Sequence, residues 1–177
     1  LKTFVILGMH RSATSLPAQG LSKAGVRMGD RLLGVDPDSN PYGHYEDVDF
    51  IRMNEWLLNS AGGSWRNPPS ELDLEKAGKE NGYIIKKLVR RKEREPFWGW
   101  KDPRTTLTIR MYLPYLTNPH FIACFREPLE VARSLNKRNG IPVEEGLKLA
   151  GIYNEKLLGF LEEFSGQYED LDYYTGA

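Results

Sequence analysis

Cysteine is nearly absent from this sequence, and neither charge sign prevails. The one cysteine among 177 residues, Cys124, leaves no disulfide framework and fits a reducing, cytoplasmic compartment. It sits in the apolar run Phe121-Ile122-Ala123-Cys124-Phe125 and reads as core rather than nucleophile. Lysine plus arginine equals aspartate plus glutamate at 24 each, so no global field draws the chain to nucleic acid or a membrane surface. No apolar stretch approaches the roughly 18 residues of a membrane span, and no signal peptide precedes the first strand. No cluster of His, Cys and carboxylate has metal-ligand spacing, so no metal is expected. Repeats and low-complexity segments are also missing. The length suits one domain, 1–177, with a sizeable core. The chain opens on Leu1 rather than methionine, and residues in front of it are expected.

What is present is organised around the first sixteen residues, LKTFVILGMHRSATSL. Thr3 to Leu7 is an apolar, β-branched run of the kind buried on both faces of a sheet. Gly8 ends it, a polar loop follows, and an apolar-periodic helix runs on until Gly25. Ser12 and Thr14 are candidate N-caps, and Pro17 is tolerable in a first helical turn. Such a loop turns backbone N–H groups and a helix N-terminus toward one point, which suits a phosphate-like anion. In the P-loop pattern G-x-x-x-x-G-K-[ST], Gly8 holds the first place, Ala13 the second glycine's, Thr14 the lysine's and Ser15 the hydroxyl's. The missing lysine makes the cradle a poor one for ATP chemistry. Arg11 supplies a fixed charge earlier in the loop, with a fork suited to tetrahedral oxyanions. The plainer reading is a buried βα turn with a solvated arginine.

Further along, the spacing predicts a loop over 26–40, then a helix from about Asp47 to Asn59. Ala61 to Ser70 is a Gly/Pro-rich connection, and Leu72 to Glu95 reads as a helix broken near Asn81-Gly82. The basic run Lys86 to Arg94 reads as a solvated face, with an acidic acceptor or partner surface as the alternative. Phe97 to Trp100 predicts a second strand and His120 to Phe125 a third, with helices from Thr105 to about Leu116 and from Pro128 to Asn139. A last helix over Val143–Phe164 has Leu147, Ala150, Leu157, Leu161 and Phe164 on one face. Alternating strands and helices predict an α/β fold, a three-layer parallel sheet flanked by helices of the P-loop nucleoside-triphosphate-hydrolase-like kind. Ligands of such sheets bind beyond the carboxyl ends of the strands. Arg11, Lys101 and Arg126 all lie at strand ends and should converge there.

Several segments together resemble the sulfotransferase family that uses 3′-phosphoadenosine 5′-phosphosulfate (PAPS), in its bacterial and tyrosylprotein-type branch. GMHRSATSL resembles that family's 5′-phosphosulfate loop, with Ala13 where glycine is usual. FREPLEVARSL is similar to its 3′-phosphate motif, with Arg126 at a strand end and Ser134 eight residues on. GWKDPR resembles the lysine-bearing strand end, and NPYGHYED the segment carrying an acidic base. Tyr168-Glu169-Asp170-Leu171 resembles a late motif near the nucleotide, which family members normally place just after a strand. Phe164-Ser165-Gly166-Gln167 is too short and polar for that strand, so either residues are lacking there or the nucleotide site is incomplete.

The resemblance implies a PAPS-dependent sulfotransferase acting on a hydroxyl or amine acceptor, with no metal. Its nucleotide would be held by His10, Arg11, Ser12, Ala13, Thr14, Ser15, Arg126, Ser134 and Tyr168. Its chemistry would fall to Glu46 as base, Lys101 at the leaving group and Arg11, with His44 as the competing base. The acceptor would be a small molecule, glycan or lipid; nothing in the sequence indicates a nucleic-acid partner or an oligomeric state. The alternatives are an ATP-dependent kinase of P-loop fold and a catalytically inactive nucleotide-binding module. Residue by residue, the plainer alternatives are Lys101 paired with Asp102, Ser134 as an ordinary helix residue and Glu46 as a helix cap only. The tryptophans Trp56, Trp65, Trp98 and Trp100 read as core.

Overall fold

A computed structural model describes residues 1–34, 43–165 and 172–175. Strand β1 (Lys2–Gly8) leads through the loop 9–14 into helix α1 (Ser15–Lys23). Then come α2 (Val48–Ser60), α3 (Glu71–Glu80), α4 (Gly82–Lys92) and β2 (Phe97–Lys101). Helix α5 (Thr105–Tyr112) runs into a 3-10 turn, Leu113–Tyr115, where Pro114 ends the α-helical ladder. Strand β3 (Pro119–Phe125), α6 (Pro128–Asn139), α7 (Val143–Ser165) and β4 (Asp172–Thr175) complete the chain.

The sheet has the order β2-β1-β3-β4 with every pairing parallel. A parallel bridge from Arg27 to Trp98 extends it one position beyond β2. Alternation along β1 divides two cores. Val5 and Leu7, with Trp98, Trp100 and Phe121, face a large cluster fed by α2 to α7. Ile6 and Cys124 face the opposite way, onto Ala18 of α1 with Val26 and Met28. The fold is therefore α/β, with helices on both faces of a parallel sheet and β1 in its interior, as expected of a P-loop-like chain. Burial pushes the Cys124 thiol up to about 12, with Lys101 only partly opposing it, so this cysteine is inert core.

Local chemistry explains most boundaries. Asp47 caps α2 by accepting from the Asp49 N–H at 2.9 Å, and Ser70 does the same for α3. Pro128 sits at the start of α6, and Gly140 at φ 67 ends it in the left-handed conformation. Some expectations are corrected. Thr14 precedes α1 but makes no side-chain cap. At the start of α5 the Thr105 hydroxyl accepts from Trp100 Nε1 and Asn54 Nδ2. Leu147 is exposed; the core face of α7 is Leu149, Ala150, Tyr153, Leu157, Phe160, Leu161 and Phe164. Trp98 and Trp100 are core, but Trp56 is 40% exposed. Strand β4, which is not among the elements expected from the sequence, lies after the segment 168–171.

The basic run of α4 is solvated except at Lys92, which is buried. Its Nζ lies 2.6 Å from Asp47 and 2.8 Å from both Asp30 and Asp49. Burial opposes this charge, but hydrogen bonds to the three aspartates outweigh it and hold the pKa above the ordinary lysine value. Asp49 is driven the other way: burial raises it, yet Lys92 and Arg31 bring it down to about 2. Buried Asp47 thus carries the α2 cap, the Asp30 N–H and Lys92 together.

Candidate functional site

The carboxyl ends of β1, β2 and β3 open into a cleft of ≈ 270 Å³. One wall is the loop 10–15. Gly8 starts it for a steric reason: a Cβ there would lie 2.7 Å from the Cys124 carbonyl oxygen and 2.9 Å from Thr14 Cγ2. Thr106 clamps the same residue, accepting from the Gly8 N–H at 2.8 Å and donating to its carbonyl at 3.1 Å. Arg11 (φ 70) and Ala13 (φ 58) are left-handed, and Thr14 returns to the right-handed region. Such alternation makes a concave nest of backbone N–H groups at the start of α1, suited to an anion. Ala13 stands in that nest without the freedom of glycine.

Arg11 ties the loop to the third strand end. Its Nε donates to Ser134 Oγ on α6 at 2.8 Å, and Arg126 Nη1 donates to the Arg11 carbonyl at 3.0 Å. The loop and the Arg126/Ser134 pair are therefore one continuous basic wall. Arg138, one helical turn beyond Ser134, joins that wall. Burial, then Arg138 and Arg126, lower the Arg11 pKa from its ordinary value, as expected of neighbouring guanidinium groups.

His10 is half-buried beside the loop, its ring 4.6 Å from that of Trp65. Burial first, and the neighbouring Arg104, Lys101, Arg138 and Arg11 charges next, hold its pKa well below the usual histidine value. The imidazole is thus neutral near pH 7, and its buried Nε2 has no hydrogen-bond partner among the described residues. Ser12 Oγ is likewise buried and unpartnered there.

Across the cleft, Lys101 Nζ donates to Glu46 Oε1 at 2.6 Å, with both side chains nearly buried. Two clamps hold that pair. Asp47, next to Glu46, is pinned by Lys92, whereas Asp102, next to Lys101, accepts from Asn54 Nδ2 at 2.8 Å. Asn54 lies on α2 and is fully satisfied, accepting also from Thr108 and Tyr112. Lys101 does not pair with Asp102, and Glu46 caps nothing; Asp47 is the cap. His44 lines the same cleft.

Among the residues expected from the sequence, His10, Arg11, Ala13, Thr14, Ser15, His44, Glu46, Lys101 and Arg126 line one cavity. Ser134 touches it through Arg11, and Ser12 is buried within the loop rather than lining the cavity. Tyr168 falls outside the described residues. Sequence reading passed over Arg138, whose signal was its placement four residues after Ser134 on α6. It also passed over Thr106 and Asn54, whose roles exist only across elements far apart in the chain.

No family model matches the chain, and no curated protein matches it. Among solved structures, it is similar to deoxyadenosine kinase from M. mycoides with bound dATP, with a TM-score of 0.43 and 11% identity. That alignment covers 99% of this chain and 90% of the kinase.

Among the described residues, no helix is long and apolar enough to cross a membrane.

Proposed function

We propose that the chain is a sulfotransferase that moves the sulfuryl group of PAPS to a hydroxyl or amine of a small-molecule, glycan or lipid acceptor. The observation that carries this reading is the buried Lys101–Glu46 pair facing a wall of Arg11, Arg126 and Arg138 across one cleft. The donor asks for two anion subsites and a neutralising group at the bond that breaks. The loop nest with Arg11 suits the 5′-phosphosulfate, and Arg126 with Arg138 suits the 3′-phosphate. The unpartnered buried atoms His10 Nε2 and Ser12 Oγ mark the loop as a place with hydrogen-bonding capacity in reserve.

In this reading Glu46 accepts the proton of the acceptor O–H or N–H as the new bond to sulfur forms. Lys101 leaves Glu46 to balance charge on the 5′-phosphate oxygen as the sulfur–oxygen bond breaks. Arg11 and the loop amides hold the equatorial sulfuryl oxygens. By analogy with phosphoryl transfer, positioning and electrostatics dominate the rate. His44 is the competing base, placed in the same cleft.

A second reading, an ATP-dependent phosphotransferase, is favoured by one observation: Ser15, at the hydroxyl place of the P-loop pattern, lines the cleft at the start of α1. Against it stands Thr14 in place of the loop lysine. A thermal-shift panel separates the readings. A ligand at one hundred times its Kd stabilises by about 2.7 kcal/mol. Adenosine 3′,5′-bisphosphate should therefore raise the melting temperature in EDTA, with ATP and Mg²⁺ giving less. The opposite ranking would favour the phosphotransferase.

A further inference from the structure

A second concavity lies outside the cleft and shares no lining residue with it. It runs between α2 and α4 and measures ≈ 590 Å³. Its two sides have the same periodicity: Asp49, Arg52, Met53 and Trp56 on α2, and Ile84, Lys87, Leu88 and Arg91 on α4, both spaced i, i+3, i+4, i+7. Each helix therefore offers one continuous face to the groove. Met53 and Leu88 form a buried aliphatic floor, while Trp56 and Ile84 stand 40% and 43% exposed. Two helices presenting matched faces in this way form the seat for a third.

The rim specifies charge. Arg52, Lys87, Arg90 and Arg94 are exposed and form no ion pair with any described residue. The single carboxylate of the groove, Asp49, is already held by Lys92 and Arg91 and by a contact with Arg31. In a chain whose charges balance overall, this concentration of unpaired cations around an apolar floor is a local feature. A nucleic-acid strand would match the charge but leave the aliphatic floor unfilled. An acidic helix with one apolar face satisfies both.

We propose that the groove between α2 and α4 docks an acidic amphipathic helix of a partner protein, its apolar face on Met53, Trp56, Ile84 and Leu88. On α4 the groove face spans Ile84 to Arg91, about 11 Å of helix at 1.5 Å per residue, so about two turns suffice.

The probe is a fluorescein-labelled acidic peptide of about fourteen residues with leucines at a and d positions and glutamates elsewhere. Its controls are a scrambled peptide of equal composition and an oligothymidylate of similar charge. Anisotropy should show saturable binding of the patterned peptide, at least about 10-fold tighter than either control. Arg90→Glu with Arg94→Glu, and separately Trp56→Ser, should each weaken it by about 10-fold or more. All these residues are exposed, and an unchanged thermal shift with adenosine 3′,5′-bisphosphate checks that the variants keep the cleft. Absence of binding overturns the proposal. So does equal binding of the scrambled peptide or the oligonucleotide, which would make the groove a general polyanion surface.

Discussion

Lys101 Nζ lies 2.6 Å from Glu46 Oε1, and the two residues reach each other from strand β2 and from the segment before α2. In this arrangement the proposed base and the proposed leaving-group cation neutralise each other until an anion enters. Glu46→Gln removes the proton acceptor and one negative charge from the cleft. Turnover should fall about 10²–10⁴-fold, the usual worth of a general base. Affinity for adenosine 3′,5′-bisphosphate should hold or rise, by up to about 10-fold, because Lys101 is released to the anion. His44→Asn should cost little. Single-turnover sulfuryl transfer to an acceptor found by screening measures both variants. A dead His44→Asn beside an active Glu46→Gln would reverse the two roles.

Ala13 holds a left-handed φ of 58 in the loop. Such a conformation costs an L-residue about 1–2 kcal/mol, part of which Ala13→Gly gives back to the flexible unfolded chain. The variant should be more stable by roughly 1 kcal/mol or slightly less, with anion affinity kept. A lower urea midpoint would contradict the left-handed loop.

His10 gives the stability curve an acid limb. Its folded pKa is depressed, mainly by burial, whereas the unfolded imidazole takes up its proton near the ordinary value of 6.5. Below that pH the unfolded state binds more protons, so stability falls as pH falls, by up to ~1.4 kcal/mol per pH unit. Above it the histidine contributes nothing to the slope. Urea titrations at a series of pH values from weakly acidic to neutral should show this slope in the wild type and a shallower one in His10→Gln. Parallel curves would contradict a buried neutral imidazole.

Lys92 supports the cleft at one remove. It is the counter-ion of fully buried Asp47, the neighbour of Glu46. Lys92→Met should destabilise by about 3–5 kcal/mol, the cost of leaving a buried charge without its partner. Loss of less than about 1 kcal/mol in urea unfolding would show that Asp47 keeps enough hydrogen bonds without it.

Much of this architecture is legible in the sequence because it is local. β1, the loop and α1 follow from an apolar run, Gly8 and Gly25, and the break between α3 and α4 from Asn81-Gly82. Convergence of Arg11, Lys101 and Arg126 follows from parallel strands, whose carboxyl ends share one edge. What was not legible depends on contacts across the chain. Lys92 looks like one more solvated cation of α4 until three aspartates from 30–49 close on it. Asn54 carries no motif, yet it joins α2 to the turn after Lys101. The Lys101–Glu46 pair spans 55 positions of sequence, a separation at which no pattern specifies a partner.

The central claim, a cleft built for a nucleotide phosphorylated at both 3′ and 5′ positions, is tested most directly by calorimetry of adenosine 3′,5′-bisphosphate and adenosine 5′-phosphate in EDTA. The wild type should bind the bisphosphate at least about 10-fold tighter, and Arg126→Ala should lose about 1.5–3 kcal/mol for the bisphosphate and little for the monophosphate. Equal losses for the two ligands, or bisphosphate binding that EDTA abolishes, would contradict the account.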